Sequence, residues 1–535
     1  MSSTLKDSTL KNNELTFEQF KAEVLNDYKL AAESREASLR GRKEVLTGKA
    51  KFGIFGDGKE LAQIAMAKAF QEGDFRSGYY RDQTFMFAIK MANIQQFFAQ
   101  LYANPDLEHD PFSAGRQMNA HFSTRSLDEN GLWKNLTEIK NSSADSSPTA
   151  SQMTRALGLS FASKLYRASD ELKDTGFSNN GNEVCFCTIG DASTSEGLFW
   201  ETVNAAGVLK APLAISIWDD GYGISVPKKY QTTKGDISTL LEGFRVNEKG
   251  EGFEIYKVNG WDYAALCETY AEGIKKVRET HIPAIFHITE VTQPQGHSTS
   301  GSHERYKSKK RLEWEQEFDC IKKFKEWILA NNIAEEDELS KIDAEAAEMV
   351  NTSKKEAWKA YISPVKNQIK EAVQRISQLG EKTAISQINE LADSLKNMLD
   401  PIRKDAVIHL KKALWFSRET ESPERQSVSE LLEELLKENK FLYNSHLTSE
   451  SEESPLKIEI EEAVYEEDAK TLNGFEILNA CFDENINRDP RIFAFGEDVG
   501  KIGDVNQAFA GLQEKYGELR IFDTGIREAT IIGQG

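Results

Sequence analysis

The chain has 535 residues, enough for more than one domain, of which 39% are hydrophobic and 28% charged. Its formal net charge of −20 excludes the usual basis of nonspecific nucleic-acid binding, in which Lys and Arg neutralise phosphates. There is no apolar run near the roughly 20 residues of a spanning helix, and the opening Met1-Ser2-Ser3-Thr4-Leu5-Lys6-Asp7 lacks a signal-type apolar segment, so no membrane contact and a cytoplasmic location are expected.

Residues 14 to 50 read as a polar helix, densest from Glu18 to Leu39, and give an N-terminal helical region over 1–50. The cluster Gly53-Ile54-Phe55-Gly56-Asp57-Gly58 follows. It lacks the Lys-Ser/Thr pair of a phosphate-binding P-loop, so it reads as a turn and the start of the helical pattern Glu60 to Ala67. In Gly78-Tyr79-Tyr80-Arg81-Asp82-Gln83, an arginine suited to bidentate diphosphate contact adjoins a tyrosine that can pack on a heteroaromatic ring. Ser146-Ser147-Pro148-Thr149-Ala150-Ser151-Gln152 then leads into a helix near Met153, with ordinary capping chemistry.

Strands are clearest at Val184 to Ile189, Leu213 to Trp218 and Ala284 to Val291, alternating with helices. That alternation predicts an α/β fold with a mostly parallel sheet covered by helices. Of the five cysteines, Cys185 and Cys187 alternate in the first of these strands and read as core residues; the set is too scattered for a disulfide framework. Charged amphipathic helices dominate from 309 to 445, and Thr448-Ser449-Glu450-Ser451-Glu452-Glu453-Ser454-Pro455 opens an acidic, exposed linker over 447–468. A second α/β pattern begins with a helix Asn473 to Asn487 and a strand Arg491 to Phe495. The divisions expected are 1–50, a domain over 51–365, a connector and linker over 366–468, and the start of a second α/β domain over 469–535.

The chemistry concentrates at strand ends. Gly190-Asp191-Ala192-Ser193-Thr194-Ser195-Glu196-Gly197 follows the first strand, and Asp219-Asp220-Gly221-Tyr222-Gly223 follows the second. Ligands of open α/β sheets bind beyond the carboxyl ends of the strands. Mg2+ takes oxygen ligands in company with phosphates, so Asp191 and Asp220 read as a clamp on a metal-diphosphate; the blander reading makes both helix caps. The third strand leads into Gln293-Pro294-Gln295-Gly296-His297-Ser298-Thr299-Ser300, where His297 reaches the same sheet edge and can donate to a phosphate or move a proton.

Taken together these motifs resemble the thiamine diphosphate-dependent decarboxylating component of the 2-oxoacid dehydrogenase complexes. The resemblance implies that Asp191, Asp220 and the Tyr222 carbonyl hold Mg2+, with Gly190, Ala192 and Ser193 alongside, and that Asp220 stands where the family usually has Asn. It implies that Tyr80 meets the aminopyrimidine, Arg81 the diphosphate, and His297 the active site, with Gln295 where many members carry a second histidine. Ser147 and Thr149 would line the thiazolium pocket, in a loop that also allows a structural K+ and leans towards branched-chain substrates. Gly496-Glu497-Asp498-Val499-Gly500 and Arg520 to Glu528 resemble the opening of the family's other subunit, with Glu528 activating the cofactor from a partly apolar site and Glu497 an auxiliary acid.

The resemblance thus implies a fused α- and β-type chain, truncated at its C-terminal side since 469–535 is short of the usual domain size of about 100–150 residues. It implies oxidative decarboxylation of 3-methyl-2-oxobutanoate, acyl transfer to the lipoyl group of a partner acyltransferase, and a homodimer of the complete chain. Pyruvate is the alternative substrate, and a noncatalytic remnant or assembly subunit the alternative of another class.

Overall fold

The computed structural model describes residues 16–535 apart from 174, 446, 450 and 453, so the first residues of the predicted N-terminal region and two acids of the linker lie outside it. The chain opens with α1 (Phe17–Leu46) and α2 (Glu60–Lys68), then β1 (Phe75–Ser77), α3 (Gln83–Ala88), α4 (Ile94–Leu101) and β2 (Asn141–Ser142). The central crossovers are α5 (Ser151–Ala168), β3 (Cys185–Gly190), α6 (Gly197–Leu209) and β4 (Leu213–Trp218). A two-residue ladder of β5 (Tyr222–Gly223) with β6 (Val226–Pro227) and a short α7 (Ile237–Leu240) lead to β7 (Glu254–Asn259), α8 (Tyr263–Thr280) and β8 (Ala284–Thr289).

These strands form a six-stranded sheet in the order β2-β1-β3-β4-β8-β7, every pair parallel. β4 is Leu-Ala-Ile-Ser-Ile-Trp with every residue buried, the near-continuous apolar run of a strand covered on both faces. Alternation sorts β3 between the two layers: Cys185, Cys187 and Ile189 pack with Met153 and Phe199, while Phe186 packs against Phe70 on the other side. Both cysteines are core residues, as expected, and burial pushes their thiols up.

Register aligns the functional ends. Gly190 of β3 pairs with Trp218 of β4, and Trp218 with Ile288 of β8. The next residues keep the alignment: Asp191 N–H donates to the Trp218 carbonyl (3.1 Å) and Asp219 N–H to that of Ile288 (2.9 Å). Asp191, Asp219-Asp220 and the loop after β8 therefore leave one edge of the sheet side by side.

The helical region differs from its predicted boundaries. Val24, Tyr28, Ala31 and Ala37 of α1 join the same core as β8, α8 and α10 (Cys320–Ala330), so the first 50 residues are not a separate unit. After α9 (Lys309–Glu317) and α10, the continuous 48-residue α11 (Glu336–Thr383) runs through the position where the first domain was expected to end. Its second half packs with α12 (Ser386–Lys396), α13 (Arg403–Phe416) and α14 (Pro423–Asn444) around Val365, Ile376, Leu395, Leu410 and Leu431. Residues 458–472 are exposed and carry no helix or strand, and α15 (Gly474–Arg488), β9 (Ala494–Gly496), α16 (Leu512–Tyr516), β10 (Ile521–Asp523) and α17 (Glu528–Gln534) follow. β9 and β10 pair in parallel. α17 docks on α5 and α6: a Cβ on Gly158 would meet the Gln534 carbonyl at 2.3 Å, and Thr530 Oγ1 donates to Glu201 (2.5 Å).

Candidate functional site

Two loops meet where β3 and β4 end. Gly221, at φ +79, turns the chain after Asp220, and a Cβ on Gly223 would lie 2.7 Å from the Ala192 Cβ. Only glycine permits that approach, which brings Asp220-Tyr222 against the Gly190-to-Ser193 turn. That turn is a single 3-10 stretch (Ala192–Ser195) before α6, rather than a helix starting at the acid. Asp220 Oδ1 accepts from Tyr222 N–H at 3.0 Å, and Arg311 donates to the Asp220 carbonyl at 2.8 Å.

The acids at this edge are tuned apart. Asp191 is 5% exposed, and among the described residues its Oδ2 has no hydrogen-bond partner. Burial first, then the neighbouring Asp220 and Asp219, push its carboxyl well above the usual range. Burial acts on Asp219 too, but His287 Nε2 (3.0 Å) and Lys228 Nζ (2.8 Å) hydrogen-bond to it and outweigh burial, holding it below the usual range. Asp219 is thus a paired structural anion, while Asp191 keeps a buried, unpartnered oxygen close to the half-buried Asp220. A buried carboxylate oxygen without a partner beside a second carboxylate is the donor set that a hard divalent cation fits, and burying it otherwise is costly. No group of three or more His, Cys, Asp or Glu that could hold a metal ion occurs among the described residues.

Arg81 lies at the same edge, 4% exposed. Its guanidinium donates to the Phe55 carbonyl (2.7 Å), the His297 carbonyl (2.9 Å) and His297 Nδ1 (3.0 Å). Arginine only donates, so Nδ1 accepts and the neutral imidazole carries its proton on Nε2. Burial and then the Arg81 charge push His297 down to about 4. The unfolded chain protonates this ring near pH 6.5 and the folded one near 4, so the group costs stability as pH falls through that interval and nothing above it. An NMR titration is expected to show the His297 ring neutral at pH 5.5; a midpoint near 6.5 contradicts the burial.

Tyr80 is half-buried, with the Arg81 guanidinium 5.3 Å from its ring. Its other neighbour is a residue the sequence did not flag: His121 stacks on it at 6.5 Å, and His121 Nε2 lies 3.1 Å from Ser147 Oγ. His121 is 2% exposed, and burial lowers its pKa. Ser147 is thereby tied to Tyr80 through His121, although, like Thr149, it is exposed. Gln295, in the expected place of a histidine, is turned inward, its N–H donating to Asp57 at 2.9 Å. The glycine cluster at 53–58 is a turn and helix start as expected, but it also floors the site through Phe55, Asp57 and Lys59. Lys59 is 1% exposed, with Nζ 3.8 Å from Asp220 Oδ2.

Glu497 and Glu528 stand apart. Both are exposed, Glu497 after β9 and Glu528 in the first turn of α17. The partly apolar surroundings expected for Glu528 are absent, because α17 turns Thr530 and Gln534 inward and leaves its first residue to solvent.

The family model described as "Dehydrogenase E1 component" matches residues 29–366. The chain belongs to the dehydrogenase E1 component family. That match takes in the whole sheet and every residue of the Asp191 edge, while α12 to α17 lie beyond it. The chain is 27% identical over 322 residues to the 2-oxoisovalerate dehydrogenase subunit alpha of Bacillus subtilis, covering 59% of this chain and 86% of that one. It is 27% identical over 201 residues to the pyruvate dehydrogenase E1 component subunit alpha of Rickettsia bellii, covering 37% and 54%. It is 26% identical over 285 residues to the mitochondrial 2-oxoisovalerate dehydrogenase subunit alpha of Caenorhabditis elegans, covering 52% and 56%. The chain thus spans only about half the length of two of these relatives. Thiamine diphosphate is the cofactor that membership of the E1 family implies.

Proposed function

We propose that this E1-family chain carries the metal- and diphosphate-binding half of a thiamine diphosphate site for oxidative decarboxylation of a 2-oxoacid. The observation that carries this reading is the buried, unpartnered Asp191 Oδ2 at a strand end beside Asp220, with Arg81 and His297 on the same edge. Asp191, Asp220 and the Tyr222 carbonyl would hold Mg2+, with Gly190, Ala192 and Ser193 forming the turn around it. Arg81 would bind the diphosphate, and Tyr80 would pack on the aminopyrimidine. Thiamine diphosphate, when bound, supplies the electron sink into which CO2 loss from a 2-oxoacid can proceed. The chain's own groups orient and hold protons: His297 keeps a proton on Nε2 at neutral pH, and His121 and Ser147 share another beside Tyr80. Thr149 would line the same loop, where K+ could bind.

The favoured substrate is 3-methyl-2-oxobutanoate, with the acyl group passed to the lipoyl group of a partner acyltransferase. The Bacillus subtilis 2-oxoisovalerate dehydrogenase subunit, matched over 86% of its length, supports this choice; the Rickettsia bellii relative supports pyruvate as the second reading. The fused α- and β-type arrangement and a homodimer belong to the same proposal, with Glu528 and Glu497 acting only when the β-type part is folded into a complete site. The test is decarboxylation of each acid with thiamine diphosphate, Mg2+ and an artificial electron acceptor, followed by acylation of a lipoyl domain. A higher kcat/KM for 3-methyl-2-oxobutanoate is expected. A higher value for pyruvate reverses the substrate, and binding of the cofactor without turnover of either acid favours an assembly role.

A further inference from the structure

The buried Lys59 floors the site, and no role has yet been given to its charge. Its position is built with care: Gly58, at φ +87, lets the chain approach so closely that a Cβ there would lie 2.1 Å from the Thr292 carbonyl. That approach brings Lys59, the N-cap of α2, under the loop that leaves β8. Its ammonium donates to Gln293 Oε1 (2.6 Å) and the Thr292 carbonyl (3.3 Å) and lies 3.8 Å from Asp220 Oδ2. The other acids near it are already engaged. Glu60 is held by Arg35 at 2.7 Å and accepts from Gly58 N–H, and Asp57 accepts from Gln295 N–H. Among the described residues, Lys59 is the cation within ion-pair distance of the Asp220 side chain.

We propose that Lys59 is a positioning residue, the built-in counter-cation of Asp220, which lets a second carboxylate stand beside Asp191 at the ligand edge. The inference rests on the site reading above. Two carboxylates converging in a poorly solvated place repel each other; a fixed ammonium behind one of them offsets that repulsion without blocking the open edge. Tyr222 N–H fixes Oδ1 of the carboxylate, and the ammonium stands 3.8 Å from Oδ2. Lysine buried at this depth otherwise costs stability, so each member of the pair makes the other tolerable.

The test is a double-mutant cycle with Lys59→Gln, Asp220→Asn and both together. It is read twice: by thermal unfolding of the full chain without cofactor, and by calorimetric titration of thiamine diphosphate with Mg2+. Lys59→Gln is expected to lower the unfolding midpoint and to weaken cofactor binding by about tenfold or more, and Asp220→Asn, which leaves the buried lysine without its counter-charge, to lower the midpoint. The double variant, neutral on both sides with nearly the same shape, is expected to recover the midpoint and to bind more tightly than Lys59→Gln alone. Loss of the lysine stem's packing would not be rescued by a change at Asp220. A double variant no better than the worse single one, or one that fails to fold, overturns the pairing. If the unchanged chain binds no thiamine diphosphate, the site reading fails while the unfolding arm still decides the pair.

Discussion

Replacing Asp191 with Asn is expected to stabilise the cofactor-free chain and to destroy its metal-dependent cofactor binding. The carboxylate is 5% exposed, has an unpartnered oxygen and faces two further acids. Its folded-state pKa lies well above the unfolded value near 3.8. Its favourable contribution is therefore complete below that value and is lost as pH rises through the folded pKa. At pH 7 the folded chain holds either a proton against the solution or a buried charge against desolvation. An amide removes this cost, and a gain of about 1–3 kcal/mol in unfolding free energy is expected. The pH dependence of the thermal midpoint between pH 5 and 8 should flatten in parallel. Binding of thiamine diphosphate with Mg2+ should weaken about 100-fold, because a charged contact of about 3 kcal/mol is lost. A variant that is destabilised, or that binds as well as the parent, would make Asp191 an ordinary turn residue.

Replacing Arg76 with Met is expected to cause the largest loss of stability. The guanidinium is fully buried and reaches two segments: the turn after β1, through Asp82 (2.9 Å) and the Tyr79 carbonyl (3.1 Å), and Asp145 beyond β2 (2.9 and 3.0 Å). Gly78 makes room for it, since a Cβ there would lie 2.2 Å from Asp82 Oδ2. Through these bonds one side chain positions Tyr80 and Arg81 on one side and the Ser147 loop on the other. Asp145 also accepts from Phe122 N–H (2.9 Å), which fixes His121. Removing the cation leaves two buried carboxylates uncompensated, at a cost of about 3–5 kcal/mol. The loss should grow with pH. Burial raises the Asp145 carboxyl to about 6 even against Arg76, so below that pH the acid is protonated and the missing cation matters least. Denaturant unfolding at pH 5 and pH 8 reads this directly, and equal losses at the two values would contradict it.

The parts of the fold that sequence made legible are those with strong local signals. Leu213–Trp218 was placed to the residue, because six consecutive apolar or small residues bounded by Pro212 and Asp219 allow little else. The acid-bearing loops after β3 and β4 were legible through their glycines, which mark turns at strand ends. The 48-residue α11 was not, because helical periodicity continues across 365 and a domain boundary there rested on composition alone. Pro364 sits inside that helix and did not end it.

The site followed the same division. Asp191, Asp220, Arg81 and His297 belong to short motifs and can be singled out from sequence; His121, Lys59 and Arg76 carry no such signal. A lone His between Ala120 and Phe122 carries no spacing signal, and it reaches Ser147 only because Asp145 and Gln100 fix its backbone. Lys59 reads as an ordinary N-terminal helix residue until the approach of Gly58 to Thr292 buries it. Arg76 lies in a three-residue strand whose partners are six and 69 positions away. Glu528 belongs to a legible motif, but the burial its expected role needs depends on packing that no local motif encodes.

The central claim is that Asp191 and Asp220 form a cation clamp for thiamine diphosphate, and calorimetric titration of the full chain with thiamine diphosphate, with Mg2+ and with EDTA, tests it most directly. Saturable binding that requires the divalent ion and weakens about 100-fold in Asp191→Asn is the expected result. Binding of equal strength in EDTA, or binding unchanged by that substitution, would contradict it.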